Sequence, residues 1–268
     1  MSKIKKFFKA IFLISKNPYL LNHILYDEQI NKEDVIKKYN LPKGLPCIDI
    51  LELIPEFTLQ LEPISFSDGG STPLDLALLK SLAQSFPACQ YFEIGTWRGE
   101  SAAIVSSVAE NVYTLNLSDE EMKEMGLQEN YIMQHRMFSN GIENITHLQG
   151  NSLTYHFAGL NKKFDLIFID GDHHYESVKS DTQNAFKLLR NENSIIVWHD
   201  YGHSPTDVRW DVLKGILDGT PPDKLKNVYR VSNTLCAIYT TKNVKSEFLQ
   251  PFTKPNKFFT LHLSAKKM

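Results

Sequence analysis

Residues 92–101 read FEIGTWRGES, in which an apolar strand pattern passes into a helical pattern through a turn that contains Gly95 and Gly99. Glycines let the backbone pass close to a ligand, and the amides at the start of a helix can bind a carboxylate or a phosphate. The same glycines could serve packing alone. A dinucleotide fingerprint needs a glycine where Trp97 stands, so the stretch disfavours a nicotinamide-dependent dehydrogenase.

Strand and helix patterns alternate along the chain on both sides of this stretch. The predicted strands occupy 91–94, 112–117, 145–148, 164–170, 194–198, 228–231 and 235–240, and the predicted helices occupy 101–109, 175–189 and 207–217. The almost continuous apolar run at 164–170 is typical of a strand that is buried on both faces. The alternation predicts an α/β fold with a doubly wound, mostly parallel, seven-stranded Rossmann-like sheet and an antiparallel C-terminal strand.

Three regions of different character divide the chain. Residues 1–71 are predicted to form a mainly helical extension, which is interrupted by prolines between 42 and 63. Residues 72–242 form the predicted α/β domain. Its first helix has clear start signals, with Thr72 at the N-cap, Pro73 at the first position and Asp75 at the third. Residues 243–268 form a basic, aromatic C-terminal tail.

Composition argues against several classes of protein. The chain has 29 Lys and Arg against 31 Asp and Glu, and its net charge of -2 argues against a dedicated nucleic-acid binder. The three cysteines form no CxxC pair, which favours a reducing compartment over a disulfide framework or a thiolate zinc site. No apolar run approaches the roughly 20 residues of a transmembrane helix. We therefore expect a cytoplasmic protein without a transmembrane segment.

The N-terminus has an amphipathic pattern. Apolar residues recur at helical spacing between Ile4 and Ile14, and lysines such as Lys5 and Lys9 surround them. Such a helix could pack on its own domain or on a second subunit. It could also lie on an anionic membrane surface as a peripheral contact. We expect a homo-oligomer, and both interpretations of the helix stay open.

Acidic and imidazole side chains cluster after two predicted strands. Asp170, Asp172 and His173 follow the long apolar run, and His199 and Asp200 follow the next strand. Open α/β sheets bind ligands at the carboxyl ends of their strands, so these side chains mark a candidate site. Asp172 could instead cap the next helix, and Asp170 and Asp200 could bond loop amides without a metal.

Several stretches in this order resemble the motifs of the class I S-adenosylmethionine-dependent methyltransferases. They are FEIGTWRGES (92–101), VYTLNLS (112–118), LQGNS (148–152), FDLIFIDGDHHYESVKSDT (164–182) and IIVWHDY (195–201). Within that class, the resemblance is to the small-molecule O-methyltransferases of the catechol, caffeoyl and macrolide-sugar type. It covers about residues 72–241 and leaves out the first 65 residues and the tail.

The resemblance implies which residues bind the cofactor, S-adenosylmethionine. The glycine loop and the Ser after it would hold the methionine part, the end of the second strand the ribose, and the GNS turn the adenine. The implied residues are Glu93, Gly95, Thr96, Trp97, Gly99, Ser101, Asn116, Asn151, Ser152 and Asp170. Asn116 stands where the family usually has an acid, and Asn151 stands where Asp is common. An amide still has an acceptor oxygen for a hydroxyl.

The resemblance also implies a metal and a base. In the metal-assisted members, Asp170 and Asp200 would bind a divalent cation such as Mg²⁺, which orients a substrate hydroxyl and lowers its pKa. His173 falls where that group carries its general base, in place of the more usual Lys. Asp170 and His173 are therefore the catalytic candidates, whereas His174 and His199 are interpreted as structural or substrate-lining.

The expected activity is methyl transfer from S-adenosylmethionine to a hydroxyl group of a small molecule, such as a sugar or a natural-product-like acceptor, with Mg²⁺ assistance as an option. Two alternatives stay open. One is a metal-free methyltransferase that acts on nitrogen or on a carboxyl group. The other is a catalytically inactive, cofactor-binding module that serves assembly. Metal-dependent turnover of a hydroxyl acceptor would distinguish the expected O-methyltransferase from both alternatives.

Overall fold

One mixed sheet runs through the part of the chain that the computed structural model describes, residues 2–21, 28–250 and 254–267. Its strands are β1 (Cys47–Ile48), β2 (Gln90–Ile94), β3 (Asn111–Asn116), β4 (Ile145–Gln149), β5 (Leu166–Ile169), β6 (Ile195–Trp198), β7 (Val228–Val231), β8 (Ala237–Tyr239) and β9 (Ser246–Glu247). They lie in the order β4-β3-β2-β5-β6-β8-β7-β1-β9. The strands from β2 to β6 pair in parallel, and β8 is antiparallel to β6 and β7. The predicted fold class is confirmed.

The predicted count of seven strands was wrong, because the described sheet has nine. β1 pairs in parallel with β7, and β9 pairs antiparallel with β1, so these strands extend one edge of the sheet. Each has 2 residues, too few to show the apolar–polar alternation by which a strand is recognised in a sequence. They come from the segments predicted as extension and tail, whose boundaries at 71 and 242 stay predictions.

The described helices are α1 (Lys3–Lys16), α2 (Glu28–Tyr39), α3 (Ile50–Leu53), α4 (Pro73–Gln84), α5 (Glu100–Ser106), α6 (Asp119–Glu124), α7 (Glu129–Ile132), α8 (Tyr175–Leu188) and α9 (Trp210–Gly219). Short 3-10 turns lie at Pro18–Leu21, Phe157–Leu160 and Pro222–Asn227. α4 and α5 contribute to the core on one face, and α8 and α9 contribute to the core on the other.

The central strand β5 explains the long apolar run. Leu166 and Phe168 pack in the core under α4 and α5, whereas Ile167 and Ile169 pack in the core under α8 and α9. All four residues are buried. Since a side chain on either face of β5 is removed from water, neither face admits an unpaired polar residue. The prediction of a strand buried on both faces is confirmed.

The helix α4 begins where its sequence predicts. The Thr72 hydroxyl accepts a hydrogen bond from the Asp75 amide, and the Asp75 carboxylate accepts one from the Thr72 amide at 2.8 Å. This reciprocal capping box satisfies two backbone donors that the first turn of a helix leaves unpaired. The predicted N-cap and the predicted position of Pro73 are confirmed.

The two chain ends behave differently. The tail at 254–267 lies along an earlier segment, with Lys257 paired to Asp49 at 2.7 Å and the Phe259 ring 6.4 Å from that of Phe57. In α1, by contrast, no residue is buried. None of the described helices is both long and apolar enough to cross a membrane.

The contact between α8 and α9 depends on Gly215. A Cβ atom there would lie 2.8 Å from the Val178 Cβ and 2.9 Å from the Tyr175 carbonyl oxygen, closer than side chains pack. We predict that Gly215→Ala lowers the free energy of unfolding by about 1–3 kcal/mol through overpacking, although alanine is the better helix former by about 1 kcal/mol. Urea unfolding measures the change.

Gln183 is exposed on α8 and provides the control. Gln183→Ala should leave the free energy of unfolding within about 0.5 kcal/mol of wild type. A Gly215→Ala variant as stable as wild type would contradict the close approach of the two helices.

Candidate active site

The turn after β2 crosses directly against the turn after β5. Gly95 has φ 97°, and a Cβ atom on it would overlap the carbonyl oxygen of Asp170. The Asp170 amide donates to the Ile94 carbonyl at 2.8 Å, which holds the two turns together. Gly99 has φ 81°, and a Cβ atom there would overlap the Ser139 hydroxyl. Both glycines are therefore required by the packing of the protein itself.

Beneath this turn lies a buried carboxyl group. Glu93 is fully buried, and its Oε2 accepts hydrogen bonds from the hydroxyls of Tyr91 and Ser101, each at 2.9 Å. Its Oε1 is buried without a hydrogen bond of ordinary geometry from the described residues. Burial raises the pKa of Glu93 to about 8, although the two hydroxyl donors oppose the shift. Glu93 is thus held beneath the loop and does not line the cleft.

Six of the residues predicted to bind the cofactor line one cleft at the carboxyl ends of β2 and β5. These residues are Gly95, Thr96, Trp97, Gly99, Ser101 and Asp170. The rest of the lining comes from Arg98, Glu100 and the segment 69–71. The Thr96 hydroxyl hydrogen-bonds to that of Thr114, so the loop is also fastened to β3.

The segment that closes one side of the cleft is tied down by side chains that the sequence analysis did not select. Arg98 donates to the carbonyl oxygens of Ser67 and Asp68 at 3.1 and 2.7 Å. Glu100 accepts a hydrogen bond from the Ser65 amide at 2.5 Å and pairs with Arg98 at 3.2 Å. Because Arg98 and Glu100 are both buried, the segment 65–70 is fixed against the glycine turn.

An aromatic cluster supports the same turn from the other side. The Trp97 ring lies 4.6 Å from the Tyr131 ring and 5.0 Å from the His135 ring, measured between centroids. Trp97 has φ 42°, a left-handed conformation that a residue other than glycine adopts only where its surroundings hold it. Trp97 thus packs against Tyr131 and His135, which both lie between β3 and β4.

Asn116, Asn151 and Ser152 lie at the ends of the neighbouring strands β3 and β4, outside the residues that line the cleft. The Asn116 amide nitrogen donates to the Leu117 carbonyl at 3.2 Å, and its oxygen accepts no hydrogen bond from the described residues. The Asn151 oxygen accepts from the Leu153 amide at 3.0 Å. The side-chain oxygen of Asn116 therefore stays available as an acceptor at the end of β3.

Asp170, His173 and Asp200 form a compact group at the ends of β5 and β6. Their potential ligand atoms all lie within 4.8 Å of one another. His173 Nε2 is 2.9 Å from Asp200 Oδ2. Burial alone would raise the pKa of Asp200, but the hydrogen bond from His173 and the charges of His199 and Arg209 lower it to about 2. Asp200 is therefore ionised at neutral pH.

A buried imidazole supports this group from below. The two ring nitrogens of His199 lie 3.0 Å from Asp170 Oδ1 and 3.3 Å from Asp75 Oδ2. Burial alone would lower the pKa of His199, but the carboxylates of Asp170 and Asp75 raise it well above its ordinary value. Asp75 is fully buried and also accepts the Leu235 amide at 2.8 Å. His199 is therefore an imidazolium clamped between two carboxylates.

Asp172 lies outside this group. Its carboxylate accepts the Ser177 hydroxyl and is paired with His174 Nδ1, each at 2.6 Å, so it is bound to the first turn of α8. The sequence analysis missed Asp75 and Arg209 as members of the site. Asp75 gave only a helix-start signal, and no sequence pattern marks the distance of 3.5 Å between Arg209 and Asp200.

The crossing of the two turns gives a direct test. We predict that Gly95→Ala lowers the free energy of unfolding by more than about 2 kcal/mol, because the positive φ costs about 1–2 kcal/mol and the overlap with Asp170 adds to it. Gly126→Ala is the matched control, since Gly126 has φ 79° but nothing within 4 Å of the added Cβ. Equal losses in the two variants would show that the overlap has no cost.

The buried Glu93 predicts a pH dependence of stability. The unfolded chain releases this proton near its ordinary pKa of 4.5 and the folded chain near 8, so the folded state loses stability as the pH rises between these values. In Glu93→Gln this side chain cannot ionise, so the variant does not lose stability in this way as the pH rises. Its free energy of unfolding relative to wild type should rise by roughly 3 kcal/mol between pH 5 and pH 8.

Urea unfolding at the two pH values measures this difference. Glu120→Gln, at an exposed carboxyl on α6, controls for the change of formal charge. A difference between Glu93→Gln and wild type that stays constant with pH would contradict a buried, protonated Glu93.

Part of the chain is similar to known methyltransferases. Residues 92–201 match the family model described as Methyltransferase domain. No curated protein matches the chain. Among solved structures, the chain is similar to an O-methyltransferase from Bacillus cereus in complex with SAH, with 17% identity, a TM-score of 0.45, and coverage of 72% of this chain and 95% of that chain.

Two further solved structures are similar at the same level. The O-methyltransferase TomG from Streptomyces achromogenes, involved in tomaymycin synthesis and in complex with SAM, shows 16% identity, a TM-score of 0.42, and coverage of 65% of this chain and 83% of that chain. The N-methyltransferase NodS from Bradyrhizobium japonicum shows 14% identity, a TM-score of 0.40, and coverage of 62% and 92%. The match to the Methyltransferase domain model covers residues 92–201, which run from β2 to the residues that follow β6.

Proposed function

We propose that the protein transfers the methyl group of S-adenosylmethionine to a hydroxyl group of a small molecule, such as a sugar or a natural-product-like acceptor. The domain match supports methyl transfer. The hydroxyl acceptor rests on one observation, the distance of 2.9 Å between His173 Nε2 and Asp200 Oδ2 next to the cleft residue Asp170. A hydroxyl must give up a proton as it attacks, and this pair offers a base to take it.

The pair has the arrangement of an imidazole base and a partner carboxylate. An ionised carboxylate can only accept hydrogen bonds, and the ring nitrogen of His173 that faces Asp200 is Nε2, at 2.9 Å. Asp200 stays ionised because two further cations lie near it, His199 at 3.5 Å from Oδ1 and Arg209 at 3.5 Å from Oδ2. Asp200 therefore orients the imidazole and stabilises the positive charge that His173 gains with the proton. His173 is partly exposed, so an acceptor can reach it.

The cofactor supplies an electrophilic methyl group on a sulfonium ion. The glycine turn from Gly95 to Ser101 would hold its methionine part, and the free acceptor oxygen of Asn116 suits a ribose hydroxyl. Asn151 and Ser152, at the end of the next strand, would face the adenine. Catalysis then consists largely of holding the acceptor oxygen in line with the methyl group while His173 takes the proton.

Metal assistance is a second candidate, favoured by the three potential ligand atoms of Asp170, His173 and Asp200 within 4.8 Å of one another. The oxygen ligands of the two aspartates suit Mg²⁺, which would lower the pKa of the acceptor hydroxyl. The imidazolium of His199 and the guanidinium of Arg209 already offset the charge of these carboxylates. We therefore favour the metal-free base.

Transfer of a labelled methyl group to a panel of phenols and sugars, with matched amines and carboxylic acids, tests the proposal. We predict turnover of hydroxyl acceptors and a kcat for His173→Asn that is lower by about 100-fold to 10,000-fold, the range of a lost general base. His174→Asn is the matched control on an exposed neighbour and should stay within a few-fold of wild type. Wild-type turnover in His173→Asn would contradict the role of the base.

Chelation separates the two candidates. A rate that EDTA leaves unchanged supports the base, whereas a rate that EDTA abolishes and Mg²⁺ restores supports the metal. Turnover confined to amines or carboxylic acids would overturn the hydroxyl acceptor. The homo-oligomer and the cytoplasmic location are proposals as well, resting on the sequence alone.

A further inference from the structure

The N-terminal helix α1 presents an apolar face that the described part of the protein does not cover. Ile4, Phe7, Phe8 and Ile11 follow one another at helical spacing, and their exposed fractions are 69%, 61%, 65% and 49%. No residue of the helix is buried. A contiguous exposed apolar face of this kind marks an interaction surface rather than a folding core.

The other side of α1 is basic. At 3.6 residues per turn, Lys5, Lys9 and Lys16 fall within about 40° of one another, on the side away from Ile11. The helix holds five lysines and no acidic residue, although the whole chain has a net charge of -2. The positive charge is thus concentrated in one short element, and three of its five lysines lie on the side away from Ile11.

This charge pattern selects the partner. A second copy of α1 on the apolar face would bring lysines close to lysines, whereas an anionic lipid surface offers acyl chains to the apolar residues and headgroups to the lysines. At the boundary of the two faces, the Lys16 ammonium lies 4.6 Å from the centre of the Phe12 ring. The helix has 14 residues, fewer than the roughly 20 that cross a bilayer, so it would lie in the plane of the surface.

We propose that α1 binds a membrane surface rich in anionic lipids, with Ile4, Phe7, Phe8 and Ile11 in the acyl boundary and the lysines at the headgroups. The residues of α1 that would bind the membrane are not among those that line the cleft after β2 and β5. Binding is therefore measured without cofactor or acceptor and does not depend on methyl transfer.

Co-sedimentation of the full chain with lipid vesicles tests the proposal. Wild type is expected to sediment with vesicles that contain phosphatidylglycerol and to stay in solution with pure phosphatidylcholine. Phe7→Glu with Ile11→Glu should lose this binding at least tenfold. Lys5→Gln with Lys9→Gln should weaken it roughly thirtyfold, because each lysine near an anionic surface contributes about fivefold.

The control places the same added charge elsewhere. Gln183→Glu with Asn193→Glu changes two exposed residues of the α/β domain and should bind like wild type. Since α1 buries no residue, its variants should keep the melting temperature of wild type. Two results would overturn the proposal: wild type that binds neither kind of vesicle, or undiminished binding by the apolar-face variant. In the first case, a halved molar mass of that variant in light scattering would assign the face to a second copy of the chain.

Discussion

The backbone contact between Gly95 and Asp170 is the constraint on which the site depends. β2 and β5 are neighbours in the centre of the sheet, and the turns that leave them meet without room for a single Cβ atom. One turn carries the lining of the cleft, and the other leads to His173. Because the two turns are fixed to each other, the cleft and the imidazole of His173 keep a fixed relative position.

The buried side chain of His199 also holds the site in place. The imidazolium of His199 joins Asp75 at the start of α4 to Asp170 at the end of β5, and all its hydrogen-bonding capacity is used within the protein. A buried charge of this kind is tolerable only where each partner is paired. His173, by contrast, is partly exposed and has Asp200 at 2.9 Å from its Nε2.

The sequence predicted the elements whose signals are local. The run at 164–170 is apolar because β5 is buried on both faces, and Thr72, Pro73 and Asp75 start α4 because capping needs only residues near in sequence. The strands β1 and β9 were not predicted, because 2 residues are too few to show the alternation of a strand. Asp75 and Arg98 were missed for another reason, since their partners are 124 and about 30 residues away along the chain.

The roles of Gly95 and Gly99 could not be separated in the sequence either. Gly95 and Gly99 resemble a ligand-binding fingerprint, and both line the cleft, yet their conformations are already required by Asp170 and Ser139. A sequence pattern cannot separate these reasons, because close approach to a ligand and close approach to a neighbouring backbone need the same residue.

The central claim is that this cleft and the adjoining strand ends hold S-adenosylmethionine. Calorimetric titration of the protein with S-adenosylhomocysteine, with and without Mg²⁺, tests it most directly. We predict one-to-one binding with a Kd on the order of micromolar that is independent of Mg²⁺ and is weakened by Asn116→Ala, which removes the acceptor for the ribose. No heat of binding under either condition would contradict the cofactor site and reduce the account to one of fold alone.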